Sequence, residues 1–179
     1  MADIEFAILD FIQDNFRTNF GNFIMPLITA LGNKGMIWII TGLILCISKK
    51  YRKSGIIILT ALVFSAIICN LTLKPLVARI RPFTANPEIK LLINAPTDFS
   101  FPSGHTASSF SVAFALLFSK NRLWIPSMVL AMLIAFSRLY LYVHYPTDVI
   151  SGIIIGLITG ICTNIICNKL SERFSGKTK

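Results

Sequence analysis

The chain has 179 residues, 54% of them hydrophobic and only 14% charged, with a mean hydropathy of +0.71. Soluble domains carry about a quarter charged residues, so this composition belongs in a bilayer; spans of about 20 residues each would use most of the length and leave no separate soluble domain. The net charge of +9 would suggest nucleic acid in a soluble protein, but here membrane topology accounts for most of the basic residues and no nucleic-acid partner is expected.

The N-terminus, Met1-Ala2-Asp3-Ile4-Glu5, has no basic stretch ahead of an apolar core, so a cleavable signal peptide is not expected. Over about residues 3–17, Ile4, Ile8, Phe11, Ile12 and Phe16 recur at helical spacing while Asp3, Asp10, Gln13, Asp14 and Arg17 take the other face. This segment is too polar to span and reads as an amphipathic helix at the interface, with an unusually acidic polar face. Phe20 to Leu31 is apolar, short and interrupted by Pro26, and Gly32-Asn33-Lys34-Gly35 breaks it. It spans, re-enters or lies flat, which leaves a total of five or six spans.

Met36 to Ser48 is the first clear span and ends in Lys49-Lys50-Tyr51-Arg52-Lys53, the mark of a cytoplasmic end. Gly55 to Leu73 returns and stops at Lys74-Pro75, and a polar loop follows through Arg81-Pro82, Asn86-Pro87-Glu88 and Ala95-Pro96-Thr97-Asp98. A third span runs from about Ser103 to Ser119, a fourth from Leu123 to Tyr142 and a fifth from Pro146 to Cys167. Lys49, Lys50, Arg52, Lys53, Lys120, Arg122, Lys169, Arg173, Lys177 and Lys179 then share one side, which the charge rule places in the cytoplasm. The expected architecture is an all-α integral membrane helical bundle of five to six transmembrane helices, forming a single domain over residues 1–179. Cys46, Cys69, Cys162 and Cys167 lack metal-ligand spacing and read as small buried hydrophobes.

The topology brings three polar stretches to the extracytoplasmic face: Lys74 to Arg81, Ser103-Gly104-His105, and Arg138 to Asp148. Lys74, Arg81 and Arg138 stand where positive charge should be sparse, which points to an anion site as well as to interfacial anchoring. If Lys74 to Arg81 stays helical, Lys74, Ala78 and Arg81 share a face and Arg79 turns away toward headgroups. Ser103 and Gly104 suit the start of a helix, where free N–H groups bind phosphate; a capped helix with a buried histidine fits the same residues. Asp148 sits in the first turn after Pro146, where it either complements the helix dipole or orients His144 by accepting a hydrogen bond from its ring. With His105, His144 and three cations, phosphoryl transfer is a coherent reading, one histidine as nucleophile and the other as acid. No acidic cluster for a metal accompanies them, since the extracytoplasmic loops hold only Glu88, Asp98 and Asp148 beyond the N-terminal acids.

Lys74 with six residues to Arg81-Pro82, then Pro102-Ser103-Gly104-His105, then Ser137-Arg138 with five residues to His144 and three more to Asp148, closely resemble the three signature motifs of the type-2 phosphatidic acid phosphatase superfamily. The match covers roughly residues 74–148. The resemblance implies that His144 is the nucleophile forming a phosphohistidine, that Asp148 orients it and that His105 protonates the leaving group. It also implies that Lys74, Arg81, Arg138, Ser103 and Gly104 bind the phosphate, and that neither a metal nor another cofactor is needed. It further implies a multi-pass enzyme of the cell membrane whose partners are membrane lipids and a lipid phosphate substrate. Undecaprenyl diphosphate is favoured over phosphatidylglycerol phosphate and phosphatidic acid, because short chains of this design often recycle the carrier lipid. A non-catalytic lipid-phosphate binding or transport protein is the alternative of another class; binding alone, however, does not require two histidines and an orienting aspartate.

Overall fold

A computed structural model describes residues 2–175. Helix α1, Ala2–Phe16, is followed by α2, Asn19–Leu31, which Thr18 caps by accepting the Gly21 N–H at 3.0 Å. The chain then turns through Asn33–Gly35 into α3, Met36–Ile47, bent 44° from α2. Helix α4, Arg52–Ala66, widens into a π-wound stretch at Ile67–Leu73 and finishes in one more turn, α5, Lys74–Val77. Pro75 does not stop the helix, because it lies in the first turn of α5 where its missing N–H is tolerated. After the short α6, Pro82–Ala85, a loop leads to α7, Gly104–Phe118, then α8, Trp124–Tyr140, and α9, Pro146–Ser175.

The chain is an all-α membrane bundle with no strand among the described residues. Arg52–Ala85 and Pro146–Leu170 are long and apolar enough to cross a membrane, α2 and α3 reach that length together, and α7 and α8 are apolar but shorter. Among the described residues the apolar segments therefore number five with α2 and α3 taken as one, or six taken singly. Their outer faces carry Ile44, Ile47, Leu71, Ile125 and Ile154 in the open, the surface a lipid solvent allows. The basic residues Lys177 and Lys179 lie outside the described residues.

Helix α7 is the axis, packed against α4, α8 and α9. Its small residues Ala107, Ala113 and Ala115 are fully buried. Gly152, Gly156 and Gly160 of α9 face it so closely that a Cβ at Gly156 would stand 2.6 Å from the Phe110 Cβ. Small residues at four-residue spacing are how helices approach without a hydrophobic drive between them. Ser111 to Thr159 at 2.6 Å and Asn164 Nδ2 to the Ala115 carbonyl at 2.6 Å add polar ties.

One expectation changes. Only Cys69 of the four cysteines is buried; Cys46 and Cys167 are half-buried and Cys162 is exposed, because in a bundle bathed in lipid an apolar side chain has no need of the interior. In the apolar stripe of α1, Ile4, Ile8, Phe11 and Phe16 are exposed and Ile12 is buried; the side of α1 turned to the protein is Glu5, Leu9 and Ile12.

Candidate active site

The C-terminal ends of α5 and α8 and the N-terminal ends of α7 and α9 meet at one end of the bundle, opposite the basic turns at 49–53 and 120–122. Lys74 does not share a continuous helix with Arg81. Ala78 takes a left-handed conformation at φ 48° and ends α5, so residues 79–81 run outside any helix and Arg81 leads into α6. The break brings Arg81 back to the cavity that Lys74 lines; the expected helical face is replaced by a reversal of the chain.

That cavity has a volume of about 550 Å³ and is lined by Lys74, Arg81, Arg138, His105 and His144, with Asp98 at its rim and Thr29 and Asn33 from the α2 side. Lys74 is 8% exposed, Arg81 4% and Arg138 2%. Buried cations need partners or an anion to bind, and Asp98 supplies the partner for two of them. Its carboxylate takes the Lys74 ammonium and, at 2.6 Å, Arg81 Nη2, and its carbonyl accepts Arg81 Nε at 2.8 Å. Burial works to raise the Asp98 carboxyl, but the Lys74 and Arg81 cations outweigh it and hold it at about 2. Arg138 has no carboxylate partner among the described residues; it donates to the Thr29 hydroxyl and its buried Nε finds no acceptor.

His144 lies in the turn between α8 and α9, with Arg81 Nη1 at 3.2 Å from its Nε2. A guanidinium only donates, so Nε2 carries the lone pair and the proton sits on Nδ1, 3.4 Å from Asp148 Oδ2. That spacing is long for a hydrogen bond and Nδ1 has no other partner. Burial pushes the imidazole down to about 3, with Asp148 opposing and Arg138 and Arg81 adding, so His144 is neutral around pH 7. Asp148 is wholly buried: Oδ2 accepts the Ser100 hydroxyl at 2.5 Å and the Tyr145 N–H at 3.0 Å, and Oδ1 accepts Arg79 Nη1 at 2.6 Å.

His105 is on the first turn of α7, its Nε2 at 2.9 Å from Asn33 Oδ1. A Cβ at Gly32 would come within 2.8 Å of its ring, so the break between α2 and α3 supplies both a partner and the room for it. Ser103 caps α7, its buried hydroxyl accepting the Thr106 N–H at 3.5 Å and lying 2.8 Å from Thr106 Oγ1. Gly104 presents backbone near Lys74 Nζ, 3.9 Å from where its Cβ would be. Beside this cavity a second one of about 560 Å³ opens along Ile39, Leu59, Leu62 and Val63 and shares Lys74, Asp98 and His105 with the first.

All the expected side chains except that of Ser103 line this region or touch a residue that does, and several others join them. Arg79 does not face headgroups: it binds Asp148, Thr147 at 2.8 Å and Glu5 at 2.5 Å, with its guanidinium 3.9 Å over the Tyr145 ring. Glu5 sits at i, i+4 and i+7 with Leu9 and Ile12, the spacing that marks the inward face of α1. Asn33 was legible only as part of a helix break, and Thr29 only as a residue of the apolar segment before it.

Fold and site together define a helical membrane protein with a cavity lined by three buried cations where four helix ends meet. The profile of the PAP2 superfamily matches residues 54–171, and the chain belongs to that superfamily. It is similar to the undecaprenyl-diphosphatase of Sulfolobus acidocaldarius, 35% identical over 132 residues that cover 73% of this chain and 63% of that protein. The chain thus spans less than two thirds of that relative. Among solved structures it resembles Aquifex aeolicus LpxE, with a TM-score of 0.75, 27% identity and coverage of 88% of this chain and 93% of that one. It also resembles the PAP2-type phosphatidylglycerolphosphate phosphatase of Bacillus subtilis, with a TM-score of 0.72, 26% identity and coverage of 96% and 86%.

Proposed function

We propose that the chain is a lipid phosphate phosphatase working at the extracytoplasmic membrane face through a phosphohistidine, with undecaprenyl diphosphate as substrate. The observation that carries this reading is a buried histidine whose Nε2 lone pair meets Arg81 in a cavity lined by three buried cations. A phosphate entering between Lys74, Arg81 and Arg138 has its charge met by all three, the main contribution a protein can make to phosphoryl transfer. His144 Nε2 attacks phosphorus and the bond from phosphorus to the bridging oxygen breaks, that oxygen taking a proton from His105. The imidazole becomes cationic as the N–P bond forms, and Asp148 stabilises it through Nδ1–H. Water then attacks phosphorus and gives a proton to His105; the N–P bond breaks, returning neutral His144 and free phosphate. The free N–H groups at the start of α7, by Gly104 and His105, add an anion-binding helix terminus.

Metal independence follows from the same cations, which disfavour a divalent ion in this cavity. The adjoining apolar cavity suits a lipid tail leaving the headgroup at His105, and the similarity to the Sulfolobus undecaprenyl-diphosphatase supports the choice of undecaprenyl diphosphate over phosphatidylglycerol phosphate and phosphatidic acid. The test is phosphate release by the purified chain from these three lipids in EDTA. Release is expected in EDTA, fastest from undecaprenyl diphosphate, with a loss of at least about 1,000-fold in His144→Ala. Complete dependence on added metal, or appreciable turnover in that variant, would overturn the mechanism. Tight binding without release would favour a lipid-binding protein instead.

A further inference from the structure

Helix α1 lies outside the residues matched by the superfamily profile, yet it places a buried carboxylate behind the catalytic pair. Glu5 Oε2 accepts Arg79 Nη2 at 2.5 Å, and Glu5 Oε1 accepts the Thr147 N–H at 3.4 Å and its hydroxyl. The other nitrogen of the same guanidinium, Nη1, meets Asp148 Oδ1 at 2.6 Å. Phe6 packs edge-on against Tyr145 at 5.6 Å between centroids, fixing α1 to the turn that carries His144.

We infer that Glu5 and Arg79 are positioning residues for the His144–Asp148 pair, and that Glu5 keeps Arg79 from cancelling the negative charge that Asp148 presents to His144. Charge counting gives the reason. An Arg79–Asp148 pair alone is neutral, and a neutral pair does little to stabilise an imidazole that becomes cationic when phosphorylated. With Glu5 included, the group carries one net negative charge. That charge opposes Arg81, Arg138 and Lys74, which line the cavity with His144, as do His105 and Asp98; Tyr145, beneath the Arg79 guanidinium, is the titratable neighbour on the other side. The geometry serves orientation as well, since a planar fork held by two carboxylates fixes Asp148 Oδ1 while Ser100 and the Tyr145 amide fix Oδ2.

This inference rests on the phosphohistidine reading above, and one experiment separates the two. The full chain in detergent, unsubstituted and as Glu5→Gln, Glu5→Asp, Arg79→Lys and Asp14→Asn, is assayed for phosphate release from undecaprenyl diphosphate across the acidic and neutral pH range, with thermal unfolding in parallel. Glu5→Gln is expected to lower kcat about tenfold to 100-fold, the cost of a misplaced reacting group, with KM unchanged. Its acid limb should shift to lower pH, because a histidine that loses a neighbouring negative charge is harder to protonate. Glu5→Asp should recover part of kcat and return the limb; Arg79→Lys, which cannot bridge both carboxylates, should lose kcat; and Asp14→Asn, exposed on the same helix, should match the unsubstituted chain. Unchanged kcat and limb in Glu5→Gln, or a fall in kcat matched by lower melting with an unmoved limb, would overturn the inference while leaving the phosphatase reading intact. If the unsubstituted chain releases no phosphate, the phosphatase reading falls and takes this inference with it.

Discussion

At the scale of single residues, Asp98 occupies the two cations, Lys74 and Arg81, that the proposed phosphate would use. Its side chain is 53% exposed while Lys74 and Arg81 are buried, so the carboxylate is free to swing away and the cations are not. An incoming phosphate competes with Asp98 for the same two donors. Asp98→Asn should therefore let inorganic phosphate inhibit at about three- to tenfold lower concentration, the scale of one partly exposed ion pair, read as Ki in the release assay. An unchanged or raised Ki would mean that Asp98 instead holds the cations in place. With its carboxyl lowered from 3.8 to about 2, the pair's contribution to folding is complete above about pH 3.8 and is lost as pH falls through 2, so mild acid does not dissolve this competition. Asp98 appeared in the sequence only as a loop acid, because pairing with residues 24 and 17 positions earlier leaves no local pattern.

At the scale of elements, α7 and α9 hold two parts of the site against each other: His105 begins one and Asp148 begins the other. Their separation is set by Gly156, whose absent side chain lets Phe110 in. Gly156→Leu should wedge the helices apart, costing about 1–3 kcal/mol or more, and lower kcat together with the melting temperature in detergent; a fully stable, fully active variant would show that α7 and α9 can shift without disturbing the site. The ends of these helices were legible because Ser103 and Pro146 are local signals that act within one turn. The reversal at Ala78 was not, since alanine is the best helix former and nothing in Lys74-Pro75-Leu76-Val77-Ala78 marks a left-handed residue. The inward face of α1 was hidden for a different reason: where lipid is the solvent, an apolar stripe points outward as readily as inward, and the buried carboxylate is the better guide.

For the whole molecule, charge and geometry divide the bundle into two ends. Lys49 to Lys53 and Lys120 to Arg122 flank the helix ends away from the cavity, an arrangement set by membrane insertion. The proposed outward-facing site follows from that bias and is open to direct measurement. With the native cysteines replaced, Glu88→Cys should react with a membrane-impermeant thiol reagent on intact cells, and Lys50→Cys only after permeabilisation. The reverse pattern would place the cavity in the cytoplasm. The bundle, its apolar helices and the gathering of Lys74, Arg81, His105, Arg138, His144 and Asp148 at one end were legible from spacing and topology. The partners that fix them, Glu5, Thr29, Asn33, Asp98 and Ser100, were not, because each is a side chain whose role exists only across helices.

The left-handed Ala78 has one more consequence. Beyond it, Arg79 and Arg81 stand two residues apart on a short non-helical stretch that the Ser100 N–H pins at the Arg79 carbonyl, 2.8 Å away. In an extended chain residues two apart point to the same side, about 7 Å from each other. One jaw closes behind Asp148 and the other in front of His144. Two peptide units thus act as a caliper on the imidazole–carboxylate pair, its opening set by backbone geometry.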